Sequence, residues 1–183
     1  ERKIAEVLNR LNIDKVDYGV FMADYAVQAA NAGSASVMAW MLDDNSHPGF
    51  FWGLWTNKEK GLKLRPWFYS WSILSRYFPP GSHIVRSKLT STDVRVLAGC
   101  AVGQKPSEKQ SWTFCIVNRA DEPRTIRMRL KEGCRIGMNR YIYSKNSNKT
   151  DENGFPAATD HKVYDFGEGA DITCEASSVV ILS

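Results

Sequence analysis

The chain is poor in the residues that announce a chemistry. Histidine occurs three times and cysteine four times in 183 residues, and none stands in a C-x-x-C or Cys/His spacing suited to a metal. HExxH, GxGxxG, a phosphate-binding glycine loop and a Ser–His–Asp order are missing, which removes the metallopeptidase, dinucleotide-binding, P-loop and serine hydrolase readings. Gly167–Glu168–Gly169 reads as a turn. No apolar run reaches the roughly 18 residues a membrane span needs, so no membrane partner is expected. Lysine and arginine (24) and aspartate and glutamate (20) are scattered, for a net charge of +4. No like-charge block marks a nucleic-acid surface; Arg124, Arg127 and Arg129 form only a small basic patch, read as a solvated strand face. A secretion leader is absent too, but the chain opens on Glu1–Arg2–Lys3 inside a helical pattern. A start in mid-element places the natural N-terminus upstream, so this absence carries no information on export.

The apolar share of 43% and charged share of 24% are those of an ordinary folded protein with room for one domain or two small ones. Cys100 and Cys115 lie in apolar, strand-like runs, where a free thiol behaves as a small hydrophobe. Buried free thiols are therefore expected in preference to two disulfides. Asn148–Lys149–Thr150 fits a glycosylation sequon, which matters only in a eukaryotic secreted protein.

Residues 2–11 can form a short helix with Ile4, Val7, Leu8 and Leu11 on one side. A longer helix is predicted from Asp17, a good N-cap residue, to Gly33, a natural stop, with Tyr18, Phe21, Met22, Tyr25, Ala29 and Ala30 at helical spacing. Residues 35–42 follow, apolar at successive rather than alternate positions and closed by Asp43 and Asp44. A strand apolar on both faces must be covered on both faces, the habit of parallel strands in α/β folds. Residues 43–63 form a long connection without periodicity, and such loops are often functional. Pro66 opens a helix through Trp67, Phe68, Trp71, Leu74 and Tyr77, which Pro79–Pro80–Gly81 stops.

From His83 onward short alternating segments take over. Strands are predicted at 83–89, 93–101, 111–118, 123–130, 138–144, 162–166, 170–174 and 178–182, a spacing that indicates an antiparallel β-sandwich of about eight strands. The fold expected is thus an α+β fragment. Residues 1–82 are the terminal βα portion of a (β/α)8 barrel and residues 83–183 the sandwich. A complete barrel needs about 250 residues, so the chain is a piece of a larger protein, a proteolytic fragment, or a compact α+β protein whose strand 35–42 joins the edge of the β-domain.

Five of the six tryptophans fall at Trp40, Trp52, Trp55, Trp67 and Trp71. Trp67 and Trp71 are four apart on a helix and read as core. Trp40 stands where a barrel strand reaches its C-terminal rim, and an aromatic ring there can stack on a sugar; Trp52 and Trp55 in the loop could extend the platform. Asp43 and Asp44 could bind a sugar hydroxyl, a metal or a neighbouring arginine, or cap the loop backbone. Adjacent side chains on an extended strand point to opposite faces. They are therefore a poor pair for glycoside hydrolysis, which sets two carboxyls about 5–9.5 Å apart on the sugar. His47 completes the candidate set. No metal and no cofactor is expected.

Three stretches then carry a resemblance. Tyr18–Gly33, Val37–Asp44 and Arg65–Tyr77 resemble the last helix–strand–helix portion of clan A glycoside hydrolases. Ser82–Arg86 and the ending Ser177–Leu182 resemble the sandwich that follows the barrel in xylosidase-like and glucosylceramidase-like members. The resemblance implies a retaining O-glycosyl hydrolase, a carbohydrate substrate, the remainder of the barrel as partner, and an extracellular or periplasmic location. It also implies that both catalytic glutamates lie upstream of this chain; Glu1 leads straight into a helical pattern and does not match the nucleophile. Trp40 matches the aromatic platform under the sugar, and the chain alone is expected to be inactive. The competing reading is a stand-alone carbohydrate-binding or interaction module, which needs exposed aromatics on one sandwich face.

Overall fold

A computed structural model describes residues 12–44, 51–101 and 111–183. The helix expected at 2–11, with Glu1, and the loop residue His47 lie outside the described residues. Helix α1 spans Val16–Asn31. Its N-cap is Lys15 rather than Asp17. Asp17 sits inside the first turn, where its charge suits the helix dipole, and its carboxylate accepts from the Ser177 hydroxyl at 2.6 Å and pairs with Lys145 at 3.0 Å. The helix ends as expected. Gly33 takes φ +93°, Ser34 N–H reaches Ala29 O and Gly33 N–H reaches Ala30 O, both at 3.0 Å, a Schellman closure that a residue with a Cβ adopts poorly. Helix α2 spans Pro66–Tyr77 with proline in its first turn. A single 3-10 turn, Lys58–Lys60, interrupts the long connection.

Eight strands follow: β1 His83–Val85, β2 Val94–Ala101, β3 Ser111–Asn118, β4 Arg124–Met128, β5 Arg135–Tyr143, β6 Asp160–Asp165, β7 Ala170–Cys174 and β8 Ser178–Leu182. Six form an antiparallel sheet in the order β1-β2-β3-β8-β5-β6, and β4 pairs with β7 in a second sheet. One core fills the space between the sheets. Val96, Phe114, Ile116, Val180 and Leu182 meet Ile172, Cys174 and Phe166, with Ile126 and Met128 closing the margin. The other face of the large sheet presents Leu97, Cys115, Val117, Tyr141, Tyr143, Val179 and Ile181 to Val20, Ala23 and Val27 of α1 and Ile73 and Leu74 of α2. Strand β8 is therefore buried at all five positions. Its unbroken apolar run reflects cover on both faces, helices on one side and β4–β7 on the other. Tyr143 fastens the layers: its hydroxyl donates to Val16 O at 3.0 Å, and burial pushes its phenol pKa up.

Residues 35–42, expected as a strand, join no sheet. The reason is a lack of neighbours: among the described residues no strand lies alongside them. Alternate side chains are correspondingly bare, with Met38 90%, Trp40 74% and Leu42 61% exposed, whereas Val37, Ala39 and Met41 between them are half-buried. The sandwich aromatics are the reverse. Phe114, Tyr141, Tyr143, Tyr164 and Phe166 are buried, Trp112 is half-buried against the inter-sheet core, and among the described sandwich aromatics only Phe155 is exposed, at 47%. No helix among the described residues is long and apolar enough to cross a membrane. The basic patch is neutralised in part, since Arg127 pairs with Asp171 at 3.1 Å and Arg124 with Glu122 at 2.8 Å.

Candidate functional site

The end of the 35–42 segment is held by short pieces of backbone. Leu54 N–H donates to Met41 O at 3.0 Å, Trp55 N–H to Leu42 O at 3.1 Å and Asp44 N–H to Trp55 O at 3.2 Å. They make a parallel bridge between Asp43 and Trp55. The Trp40–Met41 peptide is cis. This pairing draws Asp44 inward, where it is 2% exposed.

There the Asp44 carboxylate meets Arg65, itself 4% exposed. Nη1 donates to Oδ1 at 2.9 Å and Nη2 to Oδ2 at 2.7 Å, the bidentate fork typical of a strong arginine–carboxylate pair. The backbone N–H groups of Trp52 and Gly53 add 3.1 and 3.0 Å bonds to Oδ1. Arg65 spends its other donors on Asp14 Oδ1 (2.7 Å), Gly53 O (3.0 Å) and Trp55 O (3.3 Å). Burial alone would raise the carboxyl's pKa, but the bonds from Arg65, Gly53 and Trp52 outweigh it, and Asp44 titrates below the usual range. Burial likewise works against the guanidinium charge, and Asp44 and Asp14 more than restore it. Gly53 is required here by space: a Cβ would lie 2.3 Å from Trp55 O and 2.5 Å from Asp44 N, both backbone atoms. Beneath the pair, Trp67 is fully buried and donates its Nε1–H to Gly53 O at 3.0 Å. Around it gather Met22, Leu54, Tyr18 and Trp71.

The expected site residues therefore part company. Asp44 takes the arginine-pairing and backbone-capping roles among those the sequence left open, rather than that of a sugar ligand: its two oxygens already accept four bonds in a buried setting. Trp55 is half-buried and packs beside Leu54 and Trp67 as cover for that cluster. Trp40 projects into solvent, and Trp52 is 37% exposed on the same loop–segment junction. Asp43 is half-buried. Sequence reasoning did not single out Arg65 or Gly53. Arg65 was legible only as the one basic residue between Leu64 and Pro66, and its partner lies 21 positions upstream. Among the described residues no group of three histidine, cysteine or acidic side chains could hold a metal ion.

No protein-family profile matches this sequence, and no curated protein matches it. Solved structures do. A glycoside hydrolase family 30 subfamily 8 xylanase from Clostridium acetobutylicum is similar with a TM-score of 0.67 at 14% identity, over 94% of this chain and 40% of that one. A family 30 endoxylanase from Clostridium papyrosolvens gives 0.60 at 14%, over 92% and 38%. An α-L-arabinofuranosidase from Thermotoga maritima, solved with arabinose, gives 0.59 at 9%, over 93% and 39%. The chain thus spans about two-fifths of the length of the structures it matches. In fold, this chain is similar to a portion of glycoside hydrolase structures, in line with the resemblance noted in its sequence.

Proposed function

We propose that this chain is the C-terminal part of a retaining glycoside hydrolase. Residues 1–82 would supply the last barrel unit and residues 83–183 a structural sandwich. The observation that carries the reading is the bare apolar face of the 35–42 segment, formed by Met38, Trp40 and Leu42. Its sequence is that of a strand covered on both faces, yet Met38, Trp40 and Leu42 stand 61–90% exposed. Uncovered apolar area weakens folding by about 25 cal/mol per Å², and an open strand edge invites association. Sister strands from the rest of a barrel would remove both liabilities. Likeness in fold to xylanases and an arabinofuranosidase supports the same reading.

In this reading Trp40 is the sugar platform at the rim, Asp43 and Trp52 flank it, and the buried Asp44–Arg65 pair fixes the loop that presents them. The acid/base and nucleophile carboxylates belong to the upstream polypeptide. The substrate is a carbohydrate, met outside the cytoplasm. The burial of Phe114, Tyr141, Tyr143 and Phe166 counts against the stand-alone binding module.

An activity assay on aryl xylosides and arabinofuranosides tests the proposal, run on this chain and on the chain joined to its natural upstream sequence. Turnover by the longer protein alone is expected. Turnover by the 183-residue chain, or an upstream sequence without two strand-end glutamates, would refute it.

A further inference from the structure

The connection between β5 and β6 carries Asn148–Lys149–Thr150, the only Asn-x-Ser/Thr triplet in the chain. Backbone bonds hold it from both sides. Ser144 Oγ accepts from Asn146 N–H at 3.2 Å and Ser147 N–H at 3.0 Å, closing a turn just before the triplet. On its far side Ala157 N–H donates to Lys149 O at 2.9 Å, and Thr150 and Pro156 form an antiparallel bridge. All three side chains of the triplet are nevertheless exposed. Residues two apart on an extended leg lie on the same side, so the Asn148 amide and the Thr150 hydroxyl are offered together.

The fold puts most of its asparagines to use. Among the described residues, the side chains of Asn12, Asn31, Asn57, Asn118, Asn139 and Asn146 each hold a hydrogen bond. Asn148 and Asn153 hold none, and neither does the Thr150 hydroxyl. Asn153 has Phe155 two positions on, which carries no hydroxyl. The sequence spacing and the unused amide therefore meet at Asn148 alone. Its surroundings are polar, with Lys145, Asn146, Lys149, Asp151 and Glu152 exposed, so a bulky hydrophilic group there displaces only solvated surface.

We propose that Asn148 is the acceptor of an N-linked oligosaccharide. The proposal rests on the reading that the protein acts outside the cytoplasm, because this transfer is made to chains in export. The donor is an oligosaccharide joined to a lipid through pyrophosphate. Asn148 Nδ2 attacks the anomeric carbon, and the N–C bond forms as the C–O bond to the pyrophosphate breaks. The lipid pyrophosphate leaves with the electron pair, and the amide gives up one of its two protons to a base of the transferase. The Thr150 hydroxyl is the group that the transferase reads, and this chain supplies no catalyst for the step.

The test has two arms, both in yeast. In the first, the 183-residue chain is secreted behind a supplied leader. Mass spectrometry should find a glycan at Asn148 that peptide N-glycosidase removes, leaving an aspartate at position 148. Asn148→Gln and Thr150→Ala should each abolish it without lowering the melting temperature, since neither side chain bonds within the fold. In the second, the chain joined to its natural upstream sequence is expressed without that leader, and the secreted protein should carry the same glycan. A secreted chain with Asn148 bare, or a glycan that persists in Thr150→Ala, would overturn the acceptor assignment itself. Retention of the longer protein in the cytoplasm would overturn the export reading and the modification with it, and the first arm tells the two failures apart.

Discussion

Replacing Asp44 with alanine should be among the most damaging single changes in the helical half. Four donors point at this carboxylate, two from Arg65 and two from the backbone of Trp52 and Gly53. The substitution leaves a guanidinium buried at 4% exposure. Asp14 remains on its Nε, but that carboxylate is 68% exposed and its hold is screened by water. Removing one partner of a buried pair costs about 3–5 kcal/mol, because the survivor keeps its desolvation penalty. A protein of this size loses about 2–4 °C of melting temperature per kcal/mol, so Asp44→Ala should melt about 6–20 °C lower. Asp14→Ala removes only the exposed arm of the network and should cost about 1 kcal/mol or less. Chemical denaturation of the two variants and of the double mutant decides the matter. If Asp44→Ala falls within about 1 kcal/mol of the parent, or Asp14→Ala matches it, then burial is not what makes this pair matter and the reasoning fails.

The same pair sets an acid limit. The folded Asp44 pKa lies below its unfolded value of about 3.9. Its contribution is complete above that unfolded value and drains away as pH falls through the lowered folded value; denaturation midpoints measured from pH 6 to pH 2 should fall less steeply in Asp44→Asn than in the parent. Gly53→Ala should disrupt the loop more than a surface glycine would, since its Cβ has backbone 2.3–2.5 Å away; loss of cooperative thermal unfolding, or a melting temperature lowered by several degrees, is the readout. Met38→Ser and Leu42→Ser remove side chains that are 90% and 61% exposed, so stability should hold within about 0.5 kcal/mol while sedimentation shows less self-association. All four cysteines are free and Cys100, Cys115 and Cys174 are buried. Burial pushes the Cys174 thiol up to about 12 and Cys115 higher still, so a thiol reagent should titrate Cys134 alone in the native chain and all four after unfolding.

Much of the fold was legible because its signals are local. Pro66 and Gly33 punctuate the helices, and alternation along Ile126–Met128 and Trp112–Ile116 gives the sandwich faces. Three features were not local. Asp17 has the side chain of an N-cap, but Ser177, 160 residues on, and Lys145 claim it, and the helix is capped two residues earlier, at Lys15. Asp44 leaves several roles open in the sequence, and only the fold brings Arg65, 21 positions on, against it. Residues 35–42 carry the apolar pattern of a covered strand, yet form none. Among the described residues no strand covers its exposed face, so Met38, Trp40 and Leu42 meet solvent instead of a sheet. Of the proposed site, Trp40 could be named from the sequence by its ring chemistry and its place near Asp43 and Asp44; the network that holds the neighbouring loop depends on contacts 14 to 51 positions apart.

Amide hydrogen exchange across residues 36–42 tests the central claim most directly, measured in the chain alone and again when it is joined to its natural upstream sequence. The amides should exchange near their intrinsic rates in the first and become strongly protected in the second, as sister strands close over Met38, Trp40 and Leu42. Slow exchange in the 183-residue chain by itself, or no gain of protection in the longer protein, would contradict it.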